Sequence, residues 1–164
     1  MRDSAGAGIG YGGPKTETDR GGRTLPDTDQ VLDVISGLSL FADLSRPELE
    51  EVAHTFEEEW FPAGQRILRQ GFTGSGFYVI IDGEAIVNSD GKQIAQLSRG
   101  DFFGDMALLL GESPVADVVS TGSLHCIVLA GPVLEEFLLA HPPVMFRMLQ
   151  ALARRLRGAN QWRS

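Results

Sequence analysis

The chain has 164 residues, enough for one domain, and 43% of them are hydrophobic, enough for a real core. Its formal net charge of −8 argues against a nucleic-acid binder, because contacts from Lys and Arg to phosphate supply most of that affinity. The charge is uneven: no acidic residue follows Glu136, whereas Arg147, Arg154, Arg155, Arg157 and Arg163 all do, so an acidic body carries a basic end.

Residues 1–28 are rich in Gly, with Pro, Thr and charged residues and almost no large apolar side chains. Such a segment buries too little surface to offset the entropy of ordering, and a disordered tail is expected ahead of a domain at 29–164. Gly8-Ile-Gly-Tyr-Gly-Gly13 fits G-x-G-x-x-G in form, but neither the strand nor the helix that gives that motif its chemistry flanks it. The N-terminus has no apolar signal core, and no apolar run is long enough to span a bilayer. Cys126 is the only cysteine, so no intrachain disulfide can form. A soluble, cytoplasmic protein is expected.

Val31, Val34, Ile35 and Leu38 have helical spacing, with Gly37 as a stop. Ser45-Arg-Pro-Glu48 reads as a capping box that opens a second helix, with Leu49, Val52, Ala53 and Phe56 on its apolar face. From Glu57 short apolar runs alternate with turns: Trp60-Phe61, Arg66–Leu68, Phe77–Ile81, Glu84–Val87, Ile94–Leu97, Val118-Val119 and Leu124–Leu129. Such spacing predicts a β-barrel or sandwich of about eight strands. A helix returns at Pro132 and stops before Pro142-Pro143. The last helix is expected over Val144–Arg157, with Met145, Leu149, Leu152 and Leu156 on one stripe.

Between Arg99 and Val119 an apolar strand end meets Gly104, followed by a short apolar helix Met106–Leu110, a turn and another strand. A helix start presents free N–H groups, and Gly104 permits close approach to the backbone. The stretch Phe103-Gly-Asp-Met-Ala-Leu-Leu-Leu-Gly-Glu-Ser-Pro-Val-Ala-Asp-Val118 resembles the phosphate-binding cassette of the cyclic-nucleotide-binding domain family, F-G-E-[LIM]-A-L-L-x-G-x-P-R-x-A-T-V. Upstream, Gly71-Phe-Thr-Gly-Ser-Gly-Phe-Tyr-Val-Ile-Ile-Asp-Gly-Glu84 resembles the family's G-x-x-G-x-x-x-Y-x-I-x-x-G-E. The resemblance covers roughly Leu38 to Leu156. It implies a mainly β fold with flanking helices, the β-roll or jelly roll (double-stranded β-helix) of that family. It also implies a ligand site at Phe103, Gly104, Asp105, Met106, Ala107, Ser113, Pro114 and Val115, with cyclic AMP or a related cyclic nucleotide as its ligand.

Two of the departures from the family pattern bear directly on the ligand. The pattern's glutamate, which holds the ribose 2′-hydroxyl, is replaced by Asp105, one methylene shorter. Its phosphate-clamping arginine falls on Pro114, or on Val115 if the prolines are paired. A charge-assisted hydrogen bond contributes about 1.5–3 kcal/mol, so its loss weakens binding by at least about tenfold. Asp105, Glu112 and Asp117 add repulsion. Arg154 or Arg155, on the helix that closes over the ligand in the family, is the candidate lid or substitute phosphate contact.

His54, His125 and His141 have no metal-ligand spacing, His141 is expected in a loop ahead of the double proline, and no nucleophile elbow or Walker loop is present. Neither a catalytic constellation nor a metal or cofactor site is expected, and the chain reads as non-enzymatic. Two functions follow. One is a regulatory module that senses a small anionic ligand and signals through its C-terminal helix. The other is a ligand-free relative acting as an interaction or adaptor protein. The partner is an unknown protein or a second copy, met through the C-terminal helix. No DNA-binding domain is expected after Ser164.

Overall fold

The structure is a computed structural model and describes residues 28–72 and 76–161. The expected tail, apart from Thr28, and its glycine motif lie outside the described residues, as do positions 73–75 of the second family motif. Thr28 already belongs to the first helix, α1 (Thr28–Ser36).

Helix α1 turns its apolar side inward through Val31, Leu32 and Ile35. A 3-10 turn at Ser39–Phe41 follows, then α2 (Arg46–Thr55). The Ser45 hydroxyl caps α2 by accepting from the Glu48 backbone N–H at 3.4 Å. The Glu48 carboxylate accepts from that same hydroxyl at 3.0 Å, so the reciprocal arm of the expected box ends on the side chain of Ser45.

Among the described residues, eight strands form two four-stranded antiparallel sheets. The first has the order β1-β8-β3-β6, from β1 (Glu57–Phe61), β8 (Leu124–Ala130), β3 (Gly76–Asp82) and β6 (Phe102–Phe103). The second has the order β2-β7-β4-β5, from β2 (Arg66–Leu68), β7 (Asp117–Ser120), β4 (Ala85–Ser89) and β5 (Lys92–Leu97). The β4–β5 hairpin turns at Asp90-Gly91, both with positive φ (52° and 77°), as a primed two-residue turn needs.

The period-2 alternation of β3 and β8 feeds two cores. Phe77, Val79, Ile81, Ile127 and Leu129 pack with the helices, joined by Phe41, Phe56 and Phe137. Tyr78, Ile80, Leu124 and Cys126 face the interior of the roll with Leu68, Ala85, Leu97, Phe103 and Val118. The central strand β3 is therefore buried on both faces, and every residue from Gly76 to Ile81 is buried.

After β8 a 3-10 turn (Gly131–Val133) leads into α4 (Leu134–Ala140), then α5 (Pro142–Gln161). His141 sits between α4 and α5 as expected, but it is buried, because its ring packs on Phe137 and its Nε2 lies 4.0 Å from Glu51. The expected stripe of α5 is split. Val144 and Met148 are buried, Met145 and Leu152 pack at the edge of the core, and Leu149 and Leu156 are exposed. Apolar residues occupy nearly every side of this helix, so periodicity alone did not single out the inward face.

Candidate functional site

The cassette begins where β6 pairs with β3, Phe103 opposite Tyr78. Their rings stack with centroids 4.7 Å apart and planes 2° from parallel. This fixes the backbone just before Gly104, which has φ 85° and opens α3 (Asp105–Leu110). A Cβ at Gly104 would collide with the carbonyl oxygen of Gly76. Both the left-handed conformation and the close approach to β3 therefore require glycine here.

Asp105 is buried, at 2% exposure. Its Oδ1 accepts from Arg155 Nη1 at 3.4 Å, and its Oδ2 has no hydrogen-bond partner. Burial raises its carboxyl above the ordinary value, while the Arg155 charge and the Asp105 backbone N–H pull it back. Arg155 also donates from Nη2 to the Phe102 carbonyl, and its guanidinium lies 4.4 Å from the centroid of the Phe102 ring. One α5 side chain thus grips both sides of Gly104.

The rest of the cassette is held differently. Pro114 is buried and its carbonyl accepts from Gly71 N–H at 2.8 Å. Val115 is exposed, and its carbonyl accepts from the Ser89 hydroxyl at 3.1 Å. Asp117 accepts from Gln70 N–H at 2.7 Å and pairs with Arg66 at 3.6 Å. Gln70 in turn bonds Asp90 at the hairpin turn. Ser113 and Met106 are exposed, and Ala107 is half-buried.

Of the residues singled out in the sequence, Phe103, Gly104, Asp105 and Arg155 are brought together, while Arg154 is exposed. The carbonyl and ring of Phe102 were not expected to take part. A backbone acceptor leaves no mark in a sequence. The inward direction of Arg155 does leave one: Val144, Met148 and Arg155 are spaced i, i+4, i+11, on one helix face.

His125 stacks on Trp60 at 4.2 Å, and its Nε2 lies 3.2 Å from Glu58 without hydrogen-bond alignment. Burial lowers its pKa, against the pull of Asp82. No group of three or more His, Cys, Asp or Glu among the described residues could hold a metal ion.

A family profile described as "Cyclic nucleotide-binding domain" matches residues 58–141, half of the chain. The chain belongs to the cyclic-nucleotide-binding domain family. It is similar to a cAMP-dependent protein kinase regulatory subunit of Mucor circinelloides f. lusitanicus, 37% identical over 113 residues, covering 62% of this chain and 26% of the relative. It therefore spans about a quarter of that protein's length. The catabolite activator protein of Thermus thermophilus has the same fold, with TM-score 0.67 and 26% identity, covering 75% of this chain and 60% of that one. So does the regulatory subunit of a cAMP-independent protein kinase A from Trypanosoma cruzi, described as bound to guanosine, with TM-score 0.65 and 23% identity, covering 75% and 45%. The β-roll with flanking helices is thus the fold of this family, and its relatives include regulatory subunits. No helix among the described residues is long and apolar enough to cross a membrane.

Proposed function

We propose that this chain is a non-enzymatic regulatory module that holds its last helix on the cassette through its own side chains, without a cyclic phosphate. The contact of Arg155 with Asp105 and Phe102 carries this reading. In the family pattern, Asp105 stands where a ligand hydroxyl is held; here its Oδ1 is given to α5. Two arginines pair with cassette carboxylates, Arg155 with Asp105 and Arg66 with Asp117. The module acts in the cytoplasm and meets its partner through α5, in the adaptor role.

The rival is a small anionic ligand at Gly104–Ala107 under α5. Such a ligand would have to draw Arg155 off a buried carboxylate, which strands that charge. The Trypanosoma cruzi structure, bound to guanosine, supplies a neutral probe to set beside cyclic nucleotides.

The test is isothermal titration with cyclic AMP, cyclic GMP and guanosine at low salt, with hydrogen exchange across α5. The expected result is no cyclic-nucleotide binding up to millimolar ligand, and strong protection of α5 without ligand. Micromolar binding of a cyclic nucleotide that further protects α5 would overturn the proposal and support the anion sensor. Binding of guanosine alone would leave the phosphate-independent reading standing and add a neutral effector to it.

A further inference from the structure

Among the described residues, five large apolar side chains stand exposed on either side of one turn, Gly111–Pro114. Before the turn, Met106 (51% exposed), Leu109 (47%) and Leu110 (63%) are spaced i, i+3, i+4 and share one face of α3. After it, Val115 is 58% exposed. The Gly71 N–H donates to the Pro114 carbonyl at 2.8 Å, which brings Phe72 alongside, 65% exposed. The fold does not need this stripe, because Leu108 already packs α3 against the helix-side core. Exposed apolar side chains grouped in this way mark a surface that another segment covers.

We propose that the occupant is the chain's own segment Gly8–Gly13. Three features of the sequence select it. The first is composition. Of residues 1–27, only Met1, Ile9, Tyr11 and Leu25 are large and apolar. Ile9 and Tyr11 are two residues apart, so in an extended chain they point to the same side. Gly8, Gly10, Gly12 and Gly13 have no side chains to hold the backbone off the surface. The second is reach. Tyr11 lies 17 residues before Thr28, where α1 begins. That length spans up to about 60 Å when extended. A domain of this size has a radius of gyration of only about 14 Å. The third is charge. Glu112 is exposed on the turn, and Lys15 follows Tyr11 by four residues, close enough for the opposite charges to meet.

A segment too poor in apolar residues to fold alone is held when the surface is already built and a tether keeps its local concentration high. Held there, Gly8–Gly13 covers the outer side of α3 and competes with any protein that approaches the cassette from that side. Its displacement uncovers the stripe, so the tail is a built-in cover for this surface. None of this depends on a ligand at the cassette or on a partner at α5, so the proposal stands or falls apart from the titration above.

The experiment is disulfide trapping in the full chain. Gly13→Cys is combined with Leu110→Cys, which leaves Ile9 and Tyr11 in place, while the native Cys126 is buried. Under mild oxidation an intramolecular disulfide is expected, formed at a rate independent of protein concentration. Adding Ile9→Asp and Tyr11→Asp should slow it at least about tenfold, since both apolar contacts are lost. Leu109→Cys in place of Leu110→Cys reads the same stripe a second time. A rate indifferent to the two Asp substitutions would overturn the proposal, because the tether alone would then bring the cysteines together. Disulfides formed only between chains would overturn it and give the surface to a second copy. No disulfide with either stripe position would overturn it and leave the surface to a protein partner.

Discussion

The first half of the cassette, Phe102–Leu110, and the second, Gly111–Val119, keep different parts of the family pattern. In the first half the backbone device survives intact: Gly104 in its left-handed conformation, pressed on β3, with a carboxylate directly after it. In the second half the side-chain device is gone: Pro114 and Val115 stand where an arginine is expected, and the turn after β2 together with Ser89 of β4 holds the segment by its carbonyls and by Asp117. The comparison teaches that this cassette serves two separable ends. Gly104 and Phe103 are demanded by the packing of the roll whether or not anything binds. A phosphate-clamping arginine would serve a ligand alone, and nothing in the packing of the roll calls for one.

The largest blow to that comparison comes from Gly104→Ala. A left-handed non-glycine residue costs about 1–2 kcal/mol, and the collision with the Gly76 carbonyl adds to it, so a loss of about 3 kcal/mol is expected in urea unfolding. A loss below about 1 kcal/mol would mean that the first half is as dispensable as the second.

Arg155→Ala comes next. It strands the buried Asp105 carboxylate and removes the ring contact with Phe102. Breaking a fully buried pair costs about 3–5 kcal/mol, but the Arg155 side chain is 38% exposed, so about 1–3 kcal/mol is expected. Hydrogen exchange should show the C-terminal turns of α5 losing protection before the sheets do. Uniform loss across the molecule would mean that the contact is merely part of the core.

Val115→Arg sharpens the comparison instead of breaking it. Val115 is exposed while Pro114 is buried, so the structure favours position 115 for a restored arginine. Titration with cyclic AMP should then show affinity raised by at least about tenfold, with stability nearly unchanged. No gain would mean that the first half is closed to ligands as well.

The smallest effect is on pH. The Asp105 carboxyl is raised in the folded state, chiefly by burial, so the fold binds its proton more tightly than the unfolded chain does. Its contribution to stability is therefore fully present below the ordinary carboxylate pKa, and is lost as pH rises through the raised folded value. His125 works in the opposite direction, because burial lowers its pKa: stability falls as pH drops below about 6.5 toward the folded value. Asp105→Asn should remove the first dependence and leave the second. Unfolding curves between pH 4 and 8 that are unchanged by this variant would show that Asp105 is not held as described.

Much of this was legible in the sequence because β-strand periodicity and turn residues are local. The hairpin at Asp90-Gly91 and the strand at Phe77–Ile81 follow from neighbours alone. The same holds for Gly104, whose place between an apolar strand end and an apolar helix marked it out. What escaped depends on residues far apart in the chain. Met145, Leu149, Leu152 and Leu156 share one stripe in the sequence, and only the placement of the roll decides which of them is covered. His141 looked like a loop residue because nothing local shows that Glu51 and Phe137 enclose it. The family resemblance marks Arg155 as a contact to a ligand phosphate, whereas its partner in the fold, a carboxylate 50 residues earlier, becomes visible only when α5 is laid on the cassette.

Cys126 is wholly buried in β8, and burial pushes its thiol up to about 12. At neutral pH it is almost entirely un-ionised and shielded, so little reaction with maleimides or disulfide reagents is expected while the fold is intact. The wild-type chain is thus already a silent background for thiol chemistry. A single cysteine placed on α5 or near Val115 would carry a fluorophore or spin label without any native residue having to be removed first.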